Sequence, residues 1–509
     1  MGKKPLTIKK ILLTQPNYAW FSKRTWQSPP YTLCLLKAVL KGPFDVCIFD
    51  PNFKNLSEEV VRKFLTEYKP DIVGITSVST EYLNVTSYFT AIVRSQLPDA
   101  AIIMGGVVPT VLIEESMKDP NVDYCMMGES EESFPVLVQE LGKENPNLNI
   151  VSGLAYWQDG RAVINETKFI EELDKVPFPD YSSIRDGVSD GTISILDYGN
   201  TRFKYAPYLL ARKYPFAVTI TSRGCPYRCI FCAAKTVSGE KVRYRSAENV
   251  LAEIDYLYKS GIREILFQDD HFLANRERVI KIIKGLLKRK YNLRWKCGNV
   301  TAWLLDKEIL ELMHKSGCDF IVFSIESGSQ RVLKDIIKKP IRLEAIPPIL
   351  KLAKSIGFDI TVNFVVGFPG ETWEEIRETF AFAEKLDVDI INFHIATPLP
   401  KTELMDICLR DKLLPGDYLT NFASYSGYGK GLITTKEFTP FELEVLRSFE
   451  WDRINFSTLE RKKKIARMNG ISLEELEDWR MNTRRNLGVN SMVKNILTQS
   501  PLLREDARV

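Results

Sequence analysis

The stretch Arg223-Gly224-Cys225-Pro226-Tyr227-Arg228-Cys229-Ile230-Phe231-Cys232 places three cysteines within eight residues, at the spacing C-x3-C-x2-C. Thiolates from one short loop can hold a single metal centre. A structural zinc site needs four ligands, and no fourth ligand lies at close sequence spacing. The three cysteines therefore leave either a distant fourth ligand or one metal corner that is open to a small molecule.

Length and composition limit the class of protein. At 509 residues the chain is too long for one ordinary core, and about three domains are expected. Its net charge of +4 is too small for a protein that binds nucleic acid over its whole surface, so no nucleic-acid partner is expected. No apolar run reaches the roughly 18–20 residues of a membrane helix, and none resembles a signal-peptide core. We expect a cytoplasmic protein with no transmembrane segment.

The six cysteines outside the loop stand singly in apolar surroundings. Disulfides are rare in the cytoplasm, and an isolated cysteine in such a context is usually a small packing residue. We therefore expect buried packing at Cys34, Cys47, Cys125, Cys297, Cys318 and Cys408.

Upstream of the cysteine loop, short apolar strands alternate with amphipathic helices. The pattern predicts strands over residues 9–14, 45–50, 71–77, 100–105 and 122–126, with helices over 31–41, 57–68, 80–97, 111–118 and 129–141. Five such units with nearly continuous apolar strands predict a parallel, doubly wound sheet. The absence of G-x-G-x-x-G disfavours a dinucleotide ligand.

Ligands of such a sheet bind beyond the carboxyl ends of its strands. Small residues there let a ligand approach backbone N–H groups, although a glycine pair can equally mark no more than a tight turn. The candidate binding residues at these ends are Gln15, Asn17, Ser77, Thr80, Gly105, Gly106, Gly128 and Glu129.

Downstream of the sheet, residues 151–157 and 161–164 predict a hairpin that turns at Asp159-Gly160. A proline-rich linker follows, and a second strand–helix rhythm begins at residue 215. It predicts strands over 215–221, 263–268, 293–297, 319–325, 358–366 and 388–395, with helices over 247–259, 276–288, 306–315, 344–355 and 372–386. Six parallel strands with helical crossovers predict a partial TIM-type barrel whose chemistry collects at the strands' carboxyl ends.

The cysteine loop and the polar residues after the later strands together resemble the radical S-adenosylmethionine (SAM) superfamily over about residues 215–400. The resemblance implies a [4Fe–4S] cluster held by Cys225, Cys229 and Cys232, with SAM completing the fourth iron. It also implies that Gln268, Asp269 and Asp270 lie where the family binds the methionine amino group. Ser324 and Glu326 match the motif that contacts ribose or the methionine end, while Phe231 and Val366 would flank adenine.

The N-terminal sheet has a resemblance of its own. Its five units, Ser28-Pro29-Pro30, Gly105-Gly106 and Gly128-Glu129-Ser130-Glu131 look like the Rossmann-like cobalamin-binding domain that precedes many radical SAM enzymes. The D-x-H-x-x-G motif is absent, and all three histidines lie later, at positions 271, 314 and 394. The resemblance therefore implies cobalamin without a histidine of this domain below the cobalt.

These resemblances imply an α/β chain of four parts. They are a cobalamin-binding domain (1–150), a hairpin and linker (151–214), a radical SAM partial barrel (215–400) and a mostly helical C-terminal cap region (401–509). The implied activity is a C-methyltransferase: a 5′-deoxyadenosyl radical takes a hydrogen from an unactivated carbon, which then receives a methyl group from methylcobalamin. The enzyme would need a low-potential electron donor of the ferredoxin or flavodoxin type. The substrate class stays open among lipids, peptides, tetrapyrroles and small metabolites.

Three other functions stay open on the sequence. The same architecture supports cyclisation or rearrangement without methyl transfer. A methylthiotransferase would need a second cluster in the N-terminal domain, and a cobalamin carrier would need no cysteine loop.

Several side chains also have two interpretations. His271 and His394 are either acids or bases facing the substrate or ordinary hydrogen-bonded residues of the barrel rim. The run Val242-Arg243-Tyr244-Arg245-Ser246 resembles an arginine segment of cobalamin-bearing members; alternatively, Ser246 caps a helix beside solvated arginines. Arg461-Lys462-Lys463-Lys464 is either a solvated helix face or an anion-binding surface. C-terminal helices are expected over 402–410, 440–464, 472–485 and 493–498, and residues 418–428 are a candidate substrate-contacting cap.

Overall fold

A computed structural model describes residues 7–23, 25, 28–40, 42–187, 191–201, 211–418 and 430–486. Within these residues no helix has both the length and the apolar character needed to cross a membrane.

Five parallel strands form the centre of the N-terminal sheet. They are β1 (Lys10–Thr14), β2 (Asp45–Phe49), β3 (Ile72–Ser77), β4 (Ala101–Gly106) and β5 (Tyr124–Met126). Their order is β5-β4-β3-β1-β2, and every neighbouring pair is parallel. The order reverses between β3 and β1, where a doubly wound sheet opens a crevice for a ligand. The predicted doubly wound parallel sheet is confirmed.

Helices cover both faces of this sheet. They are α1 (Tyr31–Val39), α2 (Glu58–Tyr68), α3 (Leu83–Gln96), α4 (Val107–Val111), α5 (Ile113–Met117) and α6 (Ser133–Leu141). Ile11, Leu12 and Leu13 of β1 are all fully buried because the strand is covered on both sides. Leu12 packs with residues of α2 and α3, while Ile11 and Leu13 belong to the core that continues into the barrel.

Residues between the two predicted domains extend the sheet at both edges. The predicted hairpin is present as β6 (Leu154–Gln158) and β7 (Arg161–Ile164), antiparallel to β5 and to each other. Asp159 and Gly160 both have positive φ, as a two-residue hairpin turn requires. At the other edge, β8 (Ile184–Arg185) pairs with β2, and β9 (Thr192–Ile193) pairs with β8. The short helix α7 (Ile195–Gly199) follows.

Six parallel strand positions form the partial barrel. The strands are β10 (Phe216–Thr219), β13 (Glu264–Phe267), β14 (Arg294–Cys297), β15 (Asn299–Val300), β16 (Phe320–Glu326), β17 (Asp359–Val366) and β18 (Ile390–Ile395). They pair as β10-β13-β14 and β15-β16-β17-β18, and β15 follows β14 after one residue, so the third strand belongs to both arcs. Between them run α8 (Ala234–Ser238), α9 (Ala247–Lys259), α10 (Arg276–Arg289), α11 (Lys307–Lys315), α12 (Ile346–Ile356) and α13 (Trp373–Glu384). The predicted barrel is confirmed.

The C-terminal region is helical, with one correction. Its described helices are α14 (Glu403–Arg410), α15 (Pro440–Asn455), α16 (Leu459–Met468) and α17 (Leu473–Asn486). The single helix predicted over 440–464 is wrong, because the Thr458 side chain accepts a hydrogen bond from the Arg461 N–H and caps a new helix. The helix predicted over 493–498 lies outside the described residues, as do residues 419–428 of the candidate cap.

The basic run of α16 pairs with the chain itself. Lys462 pairs with Glu477, and Lys464 pairs with Asp359 and Asp389 at the lower end of the barrel. These contacts tie the C-terminal helices to the barrel, so the run is neither a fully solvated helix face nor a free anion site.

The outer edge of the sixth barrel strand is covered by a side chain of α15. Asn455 is fully buried; its Oδ1 accepts from the Ile391 N–H and its Nδ2 donates to the Ile391 carbonyl, both at 2.8 Å. An open barrel leaves such edge groups without a strand partner, and buried unpaired groups are costly. The amide therefore replaces the missing strand at this position.

We predict that Asn455→Ala lowers the free energy of unfolding by about 2–4 kcal/mol, because two backbone groups of Ile391 lose their partner inside the core. Urea unfolding of the full chain measures this. Asn482→Ala, on the exposed face of α17, is the matched control and should change stability by less than about 0.5 kcal/mol. Equal effects of the two substitutions would contradict the edge-covering role.

Candidate active site

The cysteine loop is held by bonds to the parts of the barrel around it. The Gly224 N–H donates to the Asp270 carboxylate at 2.9 Å, and the Cys225 N–H donates to the Gly239 carbonyl at 3.2 Å. Gly224 has φ of 92°, and a Cβ there would lie 2.4 Å from the Lys241 carbonyl oxygen. Only glycine fits the entrance to the loop.

The three thiols of the loop are free of disulfide bonds, and Cys232 is exposed while Cys225 and Cys229 are partly buried. Desolvation raises the pKa of all three, to about 12 for Cys229. Among the described residues, no three Cys, His, Asp or Glu side chains converge where they could hold one metal ion. A zinc ion needs its ligands around one point, whereas each thiolate of a cubane cluster binds its own iron. The assignment of the triad to a cluster stays a prediction from the spacing of the cysteines.

The acidic pair after the second strand supports the loop through its side chains. Asp269 is partly buried and accepts from the Thr221 N–H at 2.8 Å, from the Thr221 hydroxyl at 2.6 Å and from the Ser222 hydroxyl at 2.6 Å. Burial raises the pKa of the Asp269 carboxyl. Asp270 holds Gly224, as described above. Both carboxylates are thus occupied by the segment that leads into the cysteines, and any contact of Asp269 with a cofactor would have to use its backbone.

The end of the fourth strand contains a strained residue. Glu326 has φ of 76°, at a break in the register between β16 and β17. Lys339 Nζ donates to the Glu326 carboxylate and to the Ser324 carbonyl, both at 2.7 Å. Strain of this kind persists only where the surroundings enforce it, and it is common at functional sites. The predicted residues Ser324 and Glu326 thus share a lysine partner.

Sequence reasoning missed Lys339. It follows a π-helical segment (Val332–Ile337), and no motif linked it to a carboxylate 13 residues earlier. Its positive charge also lowers the pKa values of the three cysteine thiols, against the larger effect of burial.

Apolar groups border the other side of the loop. The Phe231 ring lies 5.7 Å from the ring of Phe368, and Val366, two residues before Phe368, is buried at the end of β17. The turn that carries Phe368 is held by Glu371, which accepts from the Gly367 N–H at 2.7 Å and from the Phe368 N–H at 3.0 Å. Burial raises the pKa of Glu371 to about 8. Phe231 thus lies beside the turn that directly follows Val366, and the placing of both residues at adenine stays a prediction.

A cleft separates the sheet's carboxyl edge from the barrel. One cavity of about 240 Å³ is lined by glycines of the sheet and by Gln268 and Asp270 of the barrel. A second, of about 380 Å³, is lined by Gln15, the Ser28-Pro29-Pro30 segment, Val218 and again Gln268. The two share Tyr31, Thr32, Leu33, Thr76 and Gln268 and form one cleft.

Five of the eight sheet residues predicted to bind a ligand line this cleft: Gln15, Gly105, Gly106, Gly128 and Glu129. The other three are directed elsewhere. Asn17 is fully buried, and its amide bonds with Asn55, Leu56 and Ala19. Ser77 bonds with Thr86, and Thr80 begins a 3-10 turn behind the lining.

The glycine pair at the end of β4 has two separate roles. A Cβ on Gly106 would lie 2.7 Å from the Ser77 carbonyl oxygen, and its φ is 93°, so the backbone itself requires glycine. A Cβ on Gly105 would have no atom within 4 Å, so this residue leaves space at the cleft wall. Space at the carboxyl edge, with no histidine in the sheet, fits a large ligand that is held without an imidazole.

The arginine segment after the cluster loop is not solvated. Arg243 makes two bonds to Glu129, at 2.6 and 2.8 Å, and Arg245 pairs with Glu253 at 2.5 Å. Ser246 does cap α9, because its hydroxyl accepts from the Asn249 N–H. The alternative with solvated arginines is therefore wrong, although its helix cap is confirmed.

Two histidines lie near the loop. His271 is buried with its ring 5.2 Å from Tyr227, and burial lowers its pKa. His394 is partly buried at the end of β18, and burial lowers its pKa as well. Both are thus favoured in the neutral form, which leaves a proton-accepting role and a structural role equally open.

Comparison with known proteins identifies two domain types in the chain. Residues 219–383 match the Radical SAM superfamily, and residues 22–138 match the B12 binding domain. An uncharacterized methyltransferase of Pyrococcus horikoshii is 32% identical over 416 residues, which cover 80% of this chain and 85% of that protein. The cytidylyl-2-hydroxyethylphosphonate methyltransferase of Streptomyces wedmorensis is 29% identical, over 70% of each chain.

A solved structure has the same fold. It is the radical S-adenosylmethionine methyltransferase TsrM of Kitasatospora setae, with cobalamin and a [4Fe–4S] cluster bound. The TM-score is 0.66 at 18% identity, and the match covers 79% of this chain and 78% of TsrM. At this identity the likeness establishes the fold: a B12-binding Rossmann-like sheet, a radical SAM barrel and a helical C-terminal region.

We predict that Glu371→Gln removes a pH dependence of stability. The folded carboxyl keeps its proton up to about pH 8, whereas the unfolded one loses it near the ordinary value of 4.5. Between these values the folded state binds more protons, so the free energy of unfolding falls as pH rises, by up to about 1.4 kcal/mol per pH unit. Glutamine keeps the acceptor oxygen and cannot ionise.

Urea unfolding of wild type and variant between pH 5 and pH 8 measures the difference in slope. Glu374→Gln, an exposed neighbour on α13, is the control and should keep the wild-type slope. An unchanged slope in Glu371→Gln would show that this carboxyl is not protonated in the folded chain.

Proposed function

The chain belongs to the cobalamin-dependent radical SAM enzymes, and we propose that it transfers a methyl group to an unactivated carbon of its substrate. The observation that carries the proposal is the cleft: glycines at the carboxyl edge of the B12-binding sheet face Gln268 and Asp270 beside the cysteine loop. Substrate held there would lie between two cofactor sites. Two of the similar curated proteins, those of Pyrococcus horikoshii and Streptomyces wedmorensis, are named as methyltransferases.

The cofactors of this family supply the chemistry when bound: the [4Fe–4S] cluster and SAM provide a 5′-deoxyadenosyl radical that removes a hydrogen atom, and cobalamin provides the methyl group. We assign the cluster to Cys225, Cys229 and Cys232, since these thiols are free of disulfide bonds and are held on one loop. Three ligands leave one iron for SAM.

The other residues around the cysteine loop hold the loop in position and shield the SAM site from water. Asp270 fixes the backbone in front of Cys225, and Asp269 fixes the strand end before it. We infer that Lys339 and Glu326 offer a charge pair to the amino-acid end of SAM, and that Phe231 and Val366 keep water from its adenine side. Each assignment rests on proximity to the cysteine loop.

The cobalamin side is assigned to the residues that line the cleft. We infer that Gly105 and Gly106 let the corrin approach the backbone, and that Gln15 contributes a polar group. Asn17 and Ser77 use their side chains in hydrogen bonds within the domain, and Thr80 is buried in a 3-10 turn, so all three are left out of this assignment. No histidine precedes residue 271, so the sheet offers no imidazole to the cobalt.

Reduction requires an external donor, and we infer one of the ferredoxin or flavodoxin type in the cytoplasm. Three basic side chains stand exposed around the cysteine loop and share two glutamates: Arg228 and Lys235 pair with Glu240, and Lys241 pairs with Glu171. They keep 73%, 58% and 73% of their side-chain surface, in the order Arg228, Lys235, Lys241. Such a surface would attract an acidic donor.

We predict that Cys229→Ala loses the cluster and with it the cleavage of SAM to 5′-deoxyadenosine. Wild type should bind about four irons per chain after reconstitution. Cys408→Ala is the matched control, because Cys408 is fully buried in α14, far in sequence from the loop. It should keep the iron and the cleavage.

The same experiment tests the alternatives. About eight irons per chain would indicate a second cluster and contradict the proposal in favour of methylthiotransfer. Cleavage of SAM that survives Cys229→Ala would contradict the assignment of the cluster to Cys225, Cys229 and Cys232. A rearranged product without an added methyl group, found by mass spectrometry, would indicate cyclisation.

A further inference from the structure

A buried group of four charged side chains joins the sheet to the barrel. We call Glu129, Glu131, Arg223 and Arg243 the interdomain ion cluster. Arg223 pairs with Glu131 at 2.5 Å and with Glu129 at 3.5 Å, and Arg243 pairs with Glu129 at 2.6 Å. The exposed side-chain fractions are 7% for Glu129, 6% for Glu131, 16% for Arg223 and 3% for Arg243. Solvent therefore screens these charges little.

The two arginines occupy the base of the cysteine loop. A short antiparallel ribbon pairs β11 (Ser222–Arg223) with β12 (Arg243–Tyr244), and Arg223 and Arg243 lie directly opposite each other in it. The chain between these strands contains Cys225, Cys229 and Cys232. Like charges opposite each other destabilise a strand pair, so this ribbon needs a counter-charge.

The counter-charge comes from the sheet. Glu129 and Glu131 follow β5, in the segment Gly128-Glu129-Ser130-Glu131. Glu129 also accepts from the Ile170 N–H at 2.8 Å, and Arg243 donates to the Ile170 carbonyl at 2.7 Å and to the Ser238 carbonyl. Both carboxylates are thus engaged by the ribbon and by the chain beside it, although Glu129 and Glu131 border the cleft.

Buried ion pairs add little to stability compared with apolar packing, but they are directional. Two carboxylates paired with two guanidiniums allow few relative positions of the segments that carry them, whereas an apolar contact between the same segments allows many. The interdomain ion cluster therefore constrains how the sheet and the barrel are placed relative to each other, next to both cofactor sites.

We propose that the interdomain ion cluster sets the position of the cysteine loop relative to the cobalamin cleft. Glu129 and Glu131 are then positioning residues and not cofactor ligands, which differs from the sequence prediction for Glu129. The expected effect of the interdomain ion cluster on methyl transfer rests on the proposed function. Its expected effect on the position of the cysteine loop does not.

A double-mutant cycle on the full chain without cofactors tests the pairing. Arg223→Gln removes the arginine partner of Glu131, and Glu131→Gln leaves Arg223 with only its longer pair to Glu129 at 3.5 Å. Each substitution should raise hydrogen exchange of the amides in residues 223–232 about tenfold or more. The double variant should exchange no faster than either single variant. Independent, multiplicative effects, or unchanged exchange in Glu131→Gln, would overturn the proposal.

Cobalamin binding distinguishes positioning from direct contact. Aquacobalamin is titrated into Glu129→Gln and Arg243→Gln, and the proposal expects the same fold-loss of affinity in both. Loss in Glu129→Gln with wild-type affinity in Arg243→Gln would make Glu129 a ligand and overturn the proposal. Arg289→Gln, which removes a bidentate pair with Asp255 on the barrel's outer helices, is the control and should change neither readout.

Conservative variants keep the test decisive if a glutamine variant fails to fold. Glu131→Asp and Arg223→Lys retain the charges but alter the reach of the side chains. Each should raise the hydrogen-exchange rate of the loop amides above the wild-type rate. Where the glutamine variant at the same position folds, the increase should be smaller than in that variant. Wild-type exchange in both would count against the proposal.

In the reconstituted enzyme, the ratio of 5′-deoxyadenosine to methylated product should rise several-fold in Glu131→Gln, with the iron content unchanged. If the ratio of 5′-deoxyadenosine to methylated product is unchanged although hydrogen exchange in the loop is altered, the proposed link between loop position and methyl transfer is refuted. Absence of any methylated product in wild type would refute the proposed function and leave the exchange and binding results valid.

Discussion

The structure depends on one constraint: a ten-residue loop with little secondary structure must hold three thiols in place. The loop forms a backbone bond of its own, from the Cys232 N–H to the Cys229 carbonyl, and its neighbours supply further partners. Asp270 accepts from Gly224, Asp269 accepts from Thr221 and Ser222, and the Ile230 N–H donates to a barrel carbonyl. Carboxylates placed after the second strand therefore serve the first, because parallel neighbouring strands end at the same edge.

Where the two domains meet, neighbouring residues also serve two different purposes. The sheet's carboxyl edge contributes glycines that leave room for a ligand and glutamates that bind the barrel, within the same few turns. The barrel contributes Gln268 and Asp270 to the opposite wall. The core runs without interruption from β1 into the barrel, so both walls of the cleft are backed by packed side chains. The open edge of the barrel is covered by α15, which lets six strands suffice.

Much of this could be predicted from residue patterns. Continuous apolar strands specified the parallel sheet and the barrel, and the C-x3-C-x2-C spacing indicated the site, since both signals are local in the sequence. Turn chemistry was equally readable at Asp159-Gly160, where two residues with positive φ are required. The break at Thr458 was missed, because a capping hydroxyl inside a long polar helix looks like any other surface residue.

What the sequence by itself determined was the identity of the elements and of the cysteine loop, because those depend on periodicity and short spacing. Only the tertiary structure decided which polar side chains face the cleft. It turned Asn17 and Ser77 inward, placed Lys339 on Glu326, and joined Glu129 and Glu131 to arginines about a hundred residues away. Direction and pairing of a side chain depend on packing between distant segments, and no local pattern records them.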